Sequence, residues 1–237
     1  MTQARSIAQR LLPTAGTFAL VAVGLFVVGL LLDLFWLRVS VKAFPVLALI
    51  TWVVAKAPRG RMTGLVGLGL GLCVIADILL EFRDTLFLPG VAVFLLGHLA
   101  YIAGFVTDER GLRLHLAIPF AFWGVTLFTV LQPGLGDMTL PIAVYATAIC
   151  VMMWRAAARV EATGGAVWEP WLTLAGAVAF ALSDSMIALD RFHAPIEGSR
   201  YPIILLYWGG QLLIARSTLS SARGEGQPAQ ATSPPRR

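Results

Sequence analysis

The chain has 237 residues, enough for one compact bundle, and its composition excludes an ordinary soluble domain. Hydrophobic residues make up 58% of it and charged residues only 13%, with mean hydropathy +0.79, whereas a soluble domain carries roughly a quarter charged residues. The net charge of +5 is dispersed among short polar segments, which argues against a nucleic-acid partner and fits loops held on the cytoplasmic side of a membrane.

These features predict an all-α fold, a polytopic membrane helix bundle of about eight transmembrane helices. A span needs about 20 apolar residues, and apolar runs occur near 15–37, 43–56, 62–82, 85–106, 113–131, 138–158, 168–190 and 201–219. The first is too long, and too poor in a small-residue cleavage site, for a signal peptide, so it reads as a retained span. The second is short, because Lys42 and Lys56 bracket only thirteen residues. It is either a short span reaching back toward Trp36, with both lysines snorkelling, or a re-entrant segment. Residues 1–220 form the expected bundle, and the polar stretch 221–237, from Ser221 to Pro-Pro-Arg-Arg, reads as a disordered cytoplasmic tail.

With eight spans, thirteen of the 18 basic residues fall on the side of the two termini and five on the other. Both termini are therefore expected in the cytoplasm. The preference for Arg over Lys, whose only examples are Lys42 and Lys56, hints at a GC-rich bacterial genome and so at a bacterial plasma membrane.

Ionisable side chains inside spans are costly and mark function by default. In the third run, Asp77 and Glu81 share a helical face at i, i+4; in the fourth, His98 and Tyr101 do so at i, i+3. The seventh buries Asp184, and in the eighth Tyr207 and Gln211 share a face. Blander readings exist for most of them. Glu81, Asp190, Arg191 and Arg216 lie near span ends and read as interfacial, His98 can be a hydrogen-bonded core residue, and Tyr207 and Gln211 can join helices. Cys73 and Cys150 have no CxxC partner and read as buried thiols. Asp77 and Asp184, each about one helical turn inside the outer end of its span, are harder to dismiss. They are 107 residues apart, and Tyr101 and Tyr207 are 106 apart, a spacing that suggests two parallel four-helix halves with the carboxylates converging at the centre.

The run Ala-Asp77-Ile-Leu-Leu, then Phe94-Leu-Leu-Gly-His98-Leu-Ala-Tyr101, then Leu-Ser183-Asp184, then Tyr207-Trp-Gly-Gly-Gln211-Leu-Leu-Ile-Ala-Arg-Ser217 resembles the YhhN-like family of lysoplasmalogenases. The resemblance covers about Lys42 to Ser217, with Ala76 where the family commonly has Gly. It implies an eight-span membrane hydrolase that cleaves the vinyl ether bond of a lysophospholipid substrate, a lysoplasmalogen. The products would be a fatty aldehyde and a glycerophospho-ethanolamine or -choline, with Asp77 and Asp184 as the catalytic pair.

The chemistry fits those residues independently. Vinyl ether hydrolysis protonates the alkene carbon distal to oxygen, and water then captures the oxocarbenium-like cation. This requires one protonated carboxyl and one carboxylate, as in glycosidases. Two carboxyls in one low-dielectric pocket supply both. His98, Tyr101, Tyr207 and Gln211 become orienting or substrate-binding neighbours, and Arg83, Arg191 and Arg200 lie on the outer side, where they read either as attracting a phosphate or as ordinary basic loop ends. No metal or other cofactor is expected. A zinc hydrolase needs about three ligands, and of His98, His115 and His193 only the first is deep in a span. The alternative from another class is a small-molecule or lipid transporter with a buried carboxylate site.

Overall fold

The computed structural model describes residues 2–219, so the tail expected at 221–237 lies outside the described residues. Within them the chain is helical, with nine α-helices: α1 (Thr2–Leu31), α2 (Phe35–Val41), α3 (Phe44–Lys56), α4 (Arg61–Glu81), α5 (Phe87–Asp108), α6 (Ala117–Leu135), α7 (Thr139–Ala162), α8 (Trp168–Phe192) and α9 (Arg200–Ser217). Proline repeatedly marks where a helix begins. Pro45 stands second in α3, and Pro89, Pro119, Pro141, Pro170 and Pro202 each stand third in α5 to α9. The first four N–H groups of a helix have no intrahelical acceptor, so proline's missing donor costs nothing there. Between α6 and α7 the chain reverses at Gly136, whose φ of +49° is one that glycine adopts without strain.

Six segments are long and apolar enough to cross a bilayer: Gln3–Leu31, Phe35–Lys56, Arg61–Glu81, Phe87–Asp108, Leu114–Ala162 and Trp168–Phe192. The fifth folds back at Gly136 into α6 and α7. Against the expected count of about eight, six segments, or seven helices, among the described residues are apolar enough to qualify. The weak second run qualifies once α2 joins α3, as the extension toward Trp36 anticipates. The helix that drops out is α9, which carries Arg200, Gln211 and Arg216. Because α9 is packed among other helices rather than bathed in lipid, its faces can be polar. It returns along the whole of α8. Arg216 stacks over Trp168 at one end (5.0 Å), and Ser183 Oγ donates to the Ile203 carbonyl toward the other (3.0 Å).

Helix packing repeats between the two parts of the chain. α4 lies chiefly on α5 and α8 on α9; α1 pairs with α3 and α6 with α7; α3 also packs on α9 and α7 on α5. Bilayer helices associate through close van der Waals contact, which small residues permit. Gly176 and Gly210 face each other so closely that a Cβ on either would stand 2.8 Å from the other's carbonyl oxygen. Gly67 and Gly71, a small-residue pair in the sequence, touch nothing within 4 Å. At the end opposite the two aspartates, buried Arg159 binds Asp108 of α5 (2.8 Å) and Thr173 of α8, clamping α5, α7 and α8 together.

Candidate active site

Asp77 lies one turn from the C-terminal end of α4, and Asp184 two turns from that of α8. Both are buried, at 1% and 9% exposed. Each carboxylate receives a phenol from a different helix. Tyr207 of α9 donates to Asp77 Oδ2 (2.6 Å), and Tyr145 of α7 donates to Asp184 Oδ2 (2.7 Å). A cluster of rings joins the two. Phe180 stands edge-on to both Tyr207 (5.3 Å between centroids) and His98 (4.7 Å), and Phe94 packs against all three. Fully buried His98 brings Nε2 to 3.8 Å from Asp184 Oδ2, too long for a direct hydrogen bond and of the order that one bridging water spans.

Asp77 is also approached by a cation. Lys42 Nζ sits 3.7 Å from its Oδ1 and 3.1 Å from Glu81 Oε1. Glu81 is contacted in addition by Arg38 (3.5 Å) and Arg200 (4.0 Å). This corrects the expectation that Glu81 is interfacial: it is buried, at the centre of three basic residues from two segments. A lone carboxylate at that depth is expensive, and partners on several sides are what offset the cost.

Two cavities meet at this place. One is lined almost wholly by apolar side chains such as Val91, Leu127, Leu131 and Ile149, with Asp184 and Tyr145 in its wall. The other is charged and is lined by Lys42, Glu81, Arg83, Asp190, Arg191 and Arg200. Leu80, Phe87 and Ile187 line both, so the cavities abut. The arrangement suits an amphiphile: a hydrocarbon chain in the dry cleft beside Asp184 and an anionic head among the cations.

A model of the YhhN family matches residues 37–218. The chain belongs to the YhhN family. Human lysoplasmalogenase TMEM86B is 34% identical to it over 191 residues, covering 80% of this chain and 78% of the human protein. Bovine lysoplasmalogenase TMEM86A is 32% identical over 195 residues, 78% of this chain and 80% of its own. A lysoplasmalogenase of Mycobacterium bovis is 32% identical over 136 residues, 54% of this chain and 49% of its own. No solved structure matches this chain significantly.

In this YhhN member the six residues singled out in the sequence divide into two groups. Asp77, Asp184, His98 and Tyr207 are brought together around the ring cluster. Tyr101 and Gln211 are not on the carboxylates. Tyr101 donates to Gln211 Oε1 (2.5 Å), with Cys73 Sγ 3.9 Å from the phenol, which makes the pair an interhelical bond between α5 and α9 rather than a direct contact of either aspartate. Sequence reasoning missed Tyr145 and undervalued Lys42. Tyr145 had a legible signal, being one of only four tyrosines and lying inside an apolar run. Lys42 had none, because a lysine at the start of a short run reads equally well as snorkelling to water. Of the other histidines, His115 pairs with Glu161 (2.6 Å), and His193 lies just past the end of α8.

Proposed function

We propose that this integral membrane protein is a lysoplasmalogenase, a hydrolase that cleaves the vinyl ether of a lysoplasmalogen into a fatty aldehyde and a glycerophospho-ethanolamine or -choline. The observation that carries this reading is the position of Asp77 and Asp184. Two buried carboxylates, each bonded to a tyrosine, stand around one cluster of rings, and Asp184 lines an apolar cleft that abuts a cationic vestibule. The names of the relatives point the same way and leave the transporter alternative without support.

Asp184 lines the apolar cleft, so it is the group placed to give a proton to the alkenyl carbon distal to oxygen. Asp77, with Lys42 and Tyr207 as partners, is set up as the carboxylate. Protonation leaves an oxocarbenium-like cation, which the paired carboxylates stabilise. Water adds to the carbon bonded to the ether oxygen, giving the hemiacetal, and passes a proton to Asp77, with His98 orienting the water. When the hemiacetal collapses, Asp77 returns the proton to the departing glyceryl oxygen and Asp184 takes the hemiacetal hydroxyl hydrogen. One water is consumed, and both aspartates regain their starting states. Lys42, Arg83, Arg191 and Arg200 hold the phosphate in the vestibule.

The host is proposed to be a bacterial plasma membrane with the C-terminus in the cytoplasm. The excess of basic residues on one set of loops supports this, as does the return of α9 to the side on which α8 begins.

Purified protein incubated with a lysoplasmalogen should release aldehyde, and the saturated-ether analogue, which has no alkene to protonate, should release none. A folded preparation that leaves both lipids intact would sink the reading. Tyr207→Phe and Tyr145→Phe each remove a hydrogen bond to a carboxylate and are expected to lower kcat by about tenfold or more. KM should change little, because neither phenol is placed to bear the head group. Steady-state aldehyde release checks this, and an unchanged kcat in both variants would contradict the tyrosines' role.

A further inference from the structure

On the membrane face of α6 and α7 lies a third, larger cavity, an open groove of about 1000 Å³. Gly124, Phe128, Ala146 and Cys150 line both this groove and the apolar cleft that holds Asp184, so the two are continuous. One end of α6 is held where Leu131 and Leu135 join Ile142, Leu189 and Phe192 in a small cluster of their own, and near the other end Phe120 packs on the main core. The rest of α6 turns Ile118, Phe122 and Val125 outward, each more than two-thirds exposed. The neck between groove and cleft is tight, since a Cβ on Gly124 would stand 2.6 Å from Cys150 Sγ.

Resting on the lysoplasmalogenase reading above, we propose that this groove holds the distal part of the lipid's hydrocarbon chain and gauges its length. The chain presents its ether-linked end to Asp184 and runs from the cleft past Gly124 and Cys150. Its distal end stays in the groove, which runs toward Ala117 and Trp154. From Tyr145 to Trp154 the path along α7 is roughly 14 Å at about 1.5 Å per residue, so it admits a long chain where the inner cleft alone holds a shorter one. The occupant is identified by continuity. The groove opens into no cavity of polar lining, and it leads to the one carboxylate in the wall of the apolar cleft.

The test uses two variants and a labelling readout. Gly124→Leu fills the neck, and Ala121→Trp blocks the exposed outer groove without entering the core. Ala121→Trp should lower kcat/KM for a long-chain lysoplasmalogen by about tenfold or more, the effect of forfeiting a couple of buried methylenes, and leave a short-chain one nearly unchanged, while Gly124→Leu, which also narrows the cleft, should cost the long chain more than the short one. Separately, alkylation of Cys150 by a hydrophobic maleimide, read by mass spectrometry, should be blocked by a long-chain saturated-ether lysolipid and not by a short-chain one. Equal losses on both chain lengths in both variants, or no loss at all, would overturn the gauge. So would a Cys150 that the long-chain lipid fails to protect. Should wild-type protein release no aldehyde, the hydrolase reading falls by itself, and Cys150 protection still decides whether the groove takes a lysolipid chain.

Discussion

Asp184→Asn and Asp77→Asn are each expected to abolish aldehyde release from a lysoplasmalogen, a fall of about 10²–10⁴-fold or more, the range that a positioned acid or base supplies. Asparagine is the informative replacement because it preserves shape and keeps an oxygen for Tyr145 or Tyr207 to donate to, while removing the exchangeable carboxyl proton. In Asp77→Asn the ammonium of Lys42 is not stranded, since Glu81 still holds it at 3.1 Å. Both variants should therefore fold and elute as the wild type does. Hydrolysis by wild type in heavy water should place one deuterium on the aldehyde carbon next to the carbonyl, because that carbon receives the acid's proton. Near-normal turnover in both asparagine variants would remove the pair from the mechanism. Loss in Asp184→Asn alone would retain the acid and reassign the water-activating role.

The bundle was legible because the bilayer imposes it: long apolar runs, ended by glycine and charge and begun with proline, can only be helices in a membrane. Asp77 and Asp184 were legible for the same reason, as an aspartate in such a run stands out against everything around it. What the sequence hid was the pairing across the bundle. Glu81 lies one turn beyond Asp77 at the end of α4, where a residue facing water and one facing three basic side chains look alike in one dimension. The span that fails to qualify has a related cause. Hydropathy asks whether a helix is greasy all round, and α9 is spared that demand by α3 and α8, which cover it. Tyr101 and Gln211 misled in the other direction. Polar residues in a span are either chemistry or glue, and only the 2.5 Å bond between them assigns the second role.

The largest effect on stability is expected from Glu81→Gln. The carboxylate lies among Lys42, Arg38 and Arg200, and its own side chain and that of Arg38 are each only 6% exposed. Neutralising it leaves basic groups packed together with Asp33 and Asp77 as their remaining partners, and Asp33 is itself exposed to solvent. Removing one member of a buried pair costs about 3–5 kcal/mol, because the desolvation already incurred by the other is no longer offset. Arg83→Gln supplies the contrast. Its ion pair with Asp190 (3.5 Å) is 40% exposed on the arginine side, where solvent screening holds the contribution to about 1 kcal/mol or less. Unfolding of the two variants by SDS in mixed micelles should place Glu81→Gln far below wild type and Arg83→Gln close to it. Equal small losses would mean that water reaches Glu81 after all, and that α2, α4 and α9 are held at this end by packing rather than by charge. Because Lys42 bridges Glu81 and Asp77, the same substitution should also move its ammonium toward Asp77. The folded fraction of Glu81→Gln should therefore differ from wild type in the rate at which it turns over lipid, and not only in how readily it unfolds.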